Sequence, residues 1–300
     1  IGFFHYIKTY YQSILQPKSI VKLTAVQSLL SLFIPIGLLL FLENEGSTLL
    51  IGFGLSFLIT IFIFNFKKNS FLSDIFSSNN ISKNNNLLLK KWFSYGIPLS
   101  IWFAGGLTLD FLDRFFINYY LHPHDLGVYS GLQEILTRLF SLTLFPLTMS
   151  LHPRIMHSWN ESKFNEAKKL IFNSILIMLG IGILIFTVFS QFNDFIILGL
   201  HKLIPQLKTQ SNGIILPLLL AGFLWQISFL THKMLELNEK TLLMIFAIIP
   251  SILINLFGNI IFVPKIGMIA TSYTAFFSAL SYCVFTGFYS LYLIKRKKAD

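Results

Sequence analysis

LLMIFAIIPSILINLFGNIIFV, residues 242–263, carries no ionisable side chain. As a helix rising about 1.5 Å per residue it is long enough to cross the ~30 Å hydrocarbon core of a bilayer. Its hydrogen-bonding side chains, Ser251, Asn255 and Asn259, recur every four residues and so share one helix face. Two readings of that face stand side by side: hydrogen bonds between packed spans, or the lining of a cavity able to bond sugar hydroxyls. Gly258 beside it lets a neighbouring helix come close.

Seven further apolar runs of similar length, roughly 20–42, 48–66, 94–112, 129–150, 169–190, 213–231 and 267–293, are broken by charge and turn residues. Across the chain 54% of residues are hydrophobic and 12% charged, where a soluble domain is about a quarter charged. That leaves too little polar surface to cover a core in water. The fold class is therefore an all-α polytopic membrane protein with about eight transmembrane helices. The net charge of +10 lies mostly in short loops between spans, which points to membrane lipids and excludes nucleic acid as the partner. Cys283 is the single cysteine, so no intramolecular disulfide forms. Metal-ligand spacing, phosphate-cradling glycine loops and nucleophile turns are all missing, so neither an enzyme nor a cofactor is expected.

Alternating the loops from side to side places eighteen Lys and Arg on one side and four on the other, with Arg138 inside a span. The positive-inside rule then sets both termini in the cytoplasm of a multi-pass cell (inner or plasma) membrane protein. The acidic turn Glu43-Asn44-Glu45 falls outside. The longest hydrophilic stretch, 67–92, is a basic cytoplasmic loop dividing a two-span piece (1–66) from a six-span piece (93–294), with a basic tail at 295–300. Residues 1–18, short and mixed, read as the tail of an earlier helix plus a linker.

Ionisable groups within spans are costly in lipid and face a partner, a bundle interior or water. Asp110, Asp113 and Arg114 sit at the outer end of the third span, with Asp110 and Arg114 four apart and able to pair. They are either a cap that holds helix and loop together or, for Asp110 above all, an ion-coupling carboxylate. In the fourth span Glu134 and Arg138 are also four apart, in a polar stripe with Ser130, Gln133, Thr137 and Ser141. That pair either locks helix packing or lines a hydrophilic cavity, where a guanidinium suits a diphosphate because its planar fork donates two bonds. His232, at an inner span end, reads as interfacial.

Two stretches resemble the polysaccharide flippases (Wzx-like O-antigen and capsule exporters) of the multidrug/oligosaccharidyl-lipid/polysaccharide exporter superfamily. One is Asp113-Arg114-Phe115-Phe116 followed by Asp125-Leu126-Gly127-Val128-Tyr129-Ser130, with Gly96-Ile97-Pro98 upstream and Pro146 and Pro153 downstream. The other is Asn255 and Asn259 leading through Pro264-Lys265-Ile266-Gly267 to Ala270, which stands where the family often has glycine. The resemblance implies a two-lobe exporter fold whose C-terminal six-helix lobe is 93–294, with two spans of the first lobe and about four N-terminal helices lying beyond Ile1.

It further implies transport of a polyprenyl-diphosphate-linked oligosaccharide from the cytoplasmic to the outer leaflet by alternating access. A polysaccharide polymerase and glycosyltransferases are the other partners it suggests. Arg138, Glu134, Thr137, Asn255 and Asn259 are then the expected cavity lining. Two other readings remain open: a cation-coupled small-molecule (drug-type) exporter, and a non-transporting component of a glycan-assembly complex.

Overall fold

Backbone amides in hydrocarbon can bond only to each other, so apolar runs of this length resolve into helices. The computed structural model describes residues 2–13, 17–41, 46–66, 85–204 and 212–296, which are helical apart from short turns, with no strand among them. In order these are α1 (Gly2–Ser13), α2 (Pro17–Phe41), α3 (Gly46–Phe66), α4 (Asn85–Tyr120), α5 (Pro123–Asn160), α6 (Phe164–Gln191), α7 (Asn193–Leu203), α8 (Asn212–Thr231), α9 (Lys233–Leu237), α10 (Thr241–Ile266) and α11 (Met268–Arg296). Eight spans are long and apolar enough to cross a membrane: α2, α3, α4, α5, α6, α8 continued through α9, α10 and α11. Along them Leu142, Phe288 and Phe111 stay exposed, a surface suited to lipid rather than water. The chain is an all-α polytopic membrane protein.

Two compact units divide the chain, 1–86 and 87–300. The basic loop expected over 67–92 lies outside the described residues as far as 84, and the basic tail lies outside them from 297. From Asn85 the chain is already helical, so the end of that expected loop is instead the first turns of α4. In the first unit α1 packs on α2 and α3, with Phe4, Ile7, Tyr11 and Leu23 as its core. Gln27 bridges α2 to α3, donating to Ser56 Oγ at 3.2 Å and accepting from Thr60 at 2.7 Å.

In the second unit α11 packs along α8 and α10, and α8 packs on α5. Two large apolar clusters fill it. One joins α5, α6 and α8 around Tyr129, Phe140, Leu144, Met178 and Leu218. The other joins α8–α11 to α4 through Trp102, Met244, Ile248 and Tyr282. The turns confirm how tightly the bundle closes. Only Leu121 and His122 separate α4 from α5, so Asp113 and Arg114 lie within α4 and not in an outer loop. Gly267 joins α10 to α11 at φ +66°, a backbone region that glycine alone enters cheaply. At the opposite end Ser162 and Glu239 close two turns at φ 61° and 56°. Each is followed by an N–H bond back across the helix end, Lys163 to Ser158 at 2.9 Å and Lys240 to Leu235 at 2.8 Å. In the first turn the Lys163 ammonium bonds Glu161 at 2.6 Å and holds that carboxyl below its ordinary range.

Candidate functional site

Asp113 sits on α4 at the level where α5, α10 and α11 converge, and it is 2% exposed. A carboxylate taken out of water must find donors for its lone pairs. Tyr129 of α5 donates its hydroxyl to Oδ2 at 2.9 Å. Asn255 and Asn259 of α10 donate their amides to Oδ1 at 2.8 and 3.0 Å. Asn259 also donates to Asn255 Oδ1 at 3.0 Å and accepts from Thr274 of α11 at 3.1 Å. Three helices are thus tied through one carboxylate, and α11 is joined to them through the Asn259 amide. Gly258 makes room for the last link, because a Cβ there would run into the Thr274 methyl.

Beside this hub lies an internal cavity of about 80 Å³, several times the roughly 10–15 Å³ that one water needs on the same measure. α4 lines it with Asp110 and Asp113, α5 with Gln133 and Thr137, α8 with Trp225 and Gln226, and α10 with Asn255. Gln226 Oε1 is buried there without a hydrogen-bond partner among the described residues. The cavity therefore offers carboxylates, amides, a hydroxyl and an indole face, a set able to hold water, a cation or a polyol.

Farther along the same groove between α4 and α5, toward the α9 end, is a second, open cavity of about 440 Å³. α8 floors both: Leu218, Gly222, Trp225 and Phe229 follow at intervals of three or four and share a face, which continues into α9 as Lys233 and Glu236. The second cavity also receives His152 and Thr148 from α5 and Ser100 and Trp102 from α4.

The expected site residues separate into two groups. Thr137 and Asn255 line the inner cavity, and Asn259 stands behind it in the Asp113 hub. Glu134 and Arg138 turn to the other side of α5, where they bond each other at 2.7 Å with side chains 51% and 69% exposed. They border a groove with apolar walls that include Leu142, Phe189 and Ile196. Asp110 faces the cavity, but Arg114 directs its Nε to Gln133 Oε1 at 3.5 Å across the α4–α5 gap, so the expected Asp110–Arg114 ion pair is not formed among the described residues. The reason is reach: an amide acceptor on the neighbouring helix lies in front of the guanidinium.

Tyr129, Thr274, Gln226 and the Lys233 cluster did not stand out in the sequence as site residues. The only advance signal for the cluster is Lys233 and Glu236 three apart at the edge of an apolar run. His232, read as interfacial, is instead buried and shares a hydrogen bond of 3.1 Å with Tyr282. Lys233, counted as a loop cation, is 5% exposed. The cause is that the chain resumes helix immediately after His232, carrying the span to Leu237.

Apolar spans around an interior cleft that carries a few buried polar side chains fit a membrane transporter. The MatE family model matches residues 98–261, more than half of the chain, which takes in Asp113, Tyr129, Asn255 and Asn259, the second cavity and the Glu134–Arg138 pair, while the α11 side of the hub and of the first cavity lies beyond it. The chain belongs to the MatE family, membrane exporters of the multidrug/oligosaccharidyl-lipid/polysaccharide superfamily. Neither a curated protein nor a solved structure matches it.

Proposed function

We propose that this exporter moves a polyprenyl-diphosphate-linked oligosaccharide from the cytoplasmic to the outer leaflet of the cell membrane. The observation that carries the reading is the chemistry of the α4–α5–α8 cleft. Amides, hydroxyls and indole faces, set between apolar walls, suit sugar hydroxyls and sugar faces, while the lipid tail stays in the bilayer. Glu134 and Arg138 add a guanidinium on the adjoining face of α5. A charged pair facing hydrocarbon is costly, so that face turns to water or to a polar ligand, and a diphosphate is one that the guanidinium fork fits. The excess of Lys and Arg in alternate loops supports an orientation with both termini in the cytoplasm.

Asp113 supports a second reading, a cation-coupled small-molecule exporter. A buried carboxylate held by neutral donors keeps its negative charge available to a monovalent cation or a proton, and Asp110 adds a second carboxylate to the same cavity.

The test is complementation in cells that depend on the transporter for surface polysaccharide. Arg138→Ala is expected to abolish or greatly reduce export of the lipid-linked glycan at unchanged protein level. Unchanged export removes Arg138 from the site. Cation-driven extrusion of organic cations that is lost with Asp113→Asn, with no effect on glycan export, replaces the flippase reading with the drug-type one.

A further inference from the structure

The Lys233 cluster in the second cavity has no part in the hub or the Glu134–Arg138 pair. Lys233 donates to Glu236 Oε2 and to His152 Nδ1, the latter at 2.8 Å from a residue on α5. An ammonium can only donate, so His152 Nδ1 accepts, and its proton resides on Nε2. Glu236 accepts from Lys233. The accounting is then lopsided. Glu236 keeps lone pairs to spare, but the ammonium retains a third N–H, His152 retains Nε2–H, and the Trp102 Nε1–H in the same cavity is buried without a hydrogen-bond partner among the described residues.

We propose that this cavity is a site for phosphate oxygens, taken by Lys233 and His152. A surplus of donors seeks an acceptor-rich ligand, and charge-assisted bonds to phosphate are the strong ones, here set beside the apolar side chains of Leu99, Phe103 and Phe229. Glu236 has two tasks. It balances the ammonium while the cavity is empty, since an isolated charge in a span is costly, and it holds Lys233 in one rotamer, so that binding costs little side-chain entropy. The side chains of Lys233 and Glu236 are 6% and 12% exposed, which leaves the pair little freedom to move. As the seat of a transported diphosphate the site rests on the flippase reading; as a phosphate site it stands without it.

The experiment uses the full chain in two arms, with Trp102 fluorescence as the readout and Trp102→Phe as the blank. One arm titrates inorganic pyrophosphate into the chain in an uncharged detergent. The other titrates phosphatidic acid into phosphatidylcholine nanodiscs containing the chain. A saturable change in either arm is expected, weakened at least tenfold by His152→Gln and by the charge-neutral pair Lys233→Gln/Glu236→Gln. Pyrophosphate alone identifies a mobile phosphate as the ligand, and phosphatidic acid alone a bilayer headgroup. Saturation by neither probe, or equal affinity in folded His152→Gln, overturns the proposal. Pyrophosphate binding in a protein that exports no glycan keeps this site and discards the flippase reading.

Discussion

Asp113 and Arg138 are both ionisable side chains deep within apolar helices, and the fold treats them in opposite ways. Asp113 is sealed in the bundle with donors from two other helices, and a third helix is joined through Asn259. Arg138 is mostly exposed, and its ion pair is with a residue one turn back on its own helix. The first arrangement couples elements far apart in sequence and makes the carboxylate a point on which assembly depends. Among the described residues the second couples nothing beyond α5, so its charge can be spent on something outside the bundle. A polar group inside a membrane protein is therefore not one category: the number of helices that it joins separates a fastening from a presented group.

Removing the fastening has the largest expected effect. Asp113→Ala strands Tyr129, Asn255 and Asn259 as buried donors, each worth roughly 1–3 kcal/mol. A loss of about 3 kcal/mol or more is expected, seen as a collapse of the thermal-unfolding midpoint in detergent. A midpoint within a degree or two of the parent breaks the distinction drawn here. Next is Gly258→Val, which drives a branched side chain into Thr274 and forces α10 from α11. Overpacking of this kind costs about 1–3 kcal/mol, measurable in the same melt.

Double-mutant cycles sharpen the contrast directly. Asp113 with Asn259 is expected to show a coupling on the order of 1–3 kcal/mol, as for contacting residues in one network. Glu134 with Arg138 is expected at about 0.3–0.5 kcal/mol, the value of an exposed i,i+4 pair. A strong coupling in the second cycle makes that pair structural. The smallest effect lies outside both: Ser162→Gly relieves a left-handed backbone at the α5–α6 turn and raises the same midpoint by the equivalent of about 1 kcal/mol.

Much of this was readable from one dimension. The spans followed from run length, because hydrocarbon thickness sets a minimum number of apolar residues and leaves no other backbone solution. Pairing within a single helix was equally accessible: Glu134 and Arg138 are close because 3.6 residues make a turn, whatever surrounds them. The Ser251–Asn255–Asn259 face was visible for the same reason. Its partner was not. Asn259 and Asp113 are far apart in the chain, and their meeting depends on how α4, α10 and α11 cross. The same holds for Lys233, whose neighbour His152 lies on α5.

Sequence alone determined the class, the eight spans and the order of the polar groups along each of them, since those follow from local periodicity and the cost of placing peptide groups in lipid. Only the tertiary structure decided which polar groups are buried, which are presented, and that Thr137 and Arg138, neighbours in the chain, face different surfaces. Helix rotation about its own axis is set by packing against other helices. A shift of one residue turns a side chain by about 100° and carries it from the cleft to the outside.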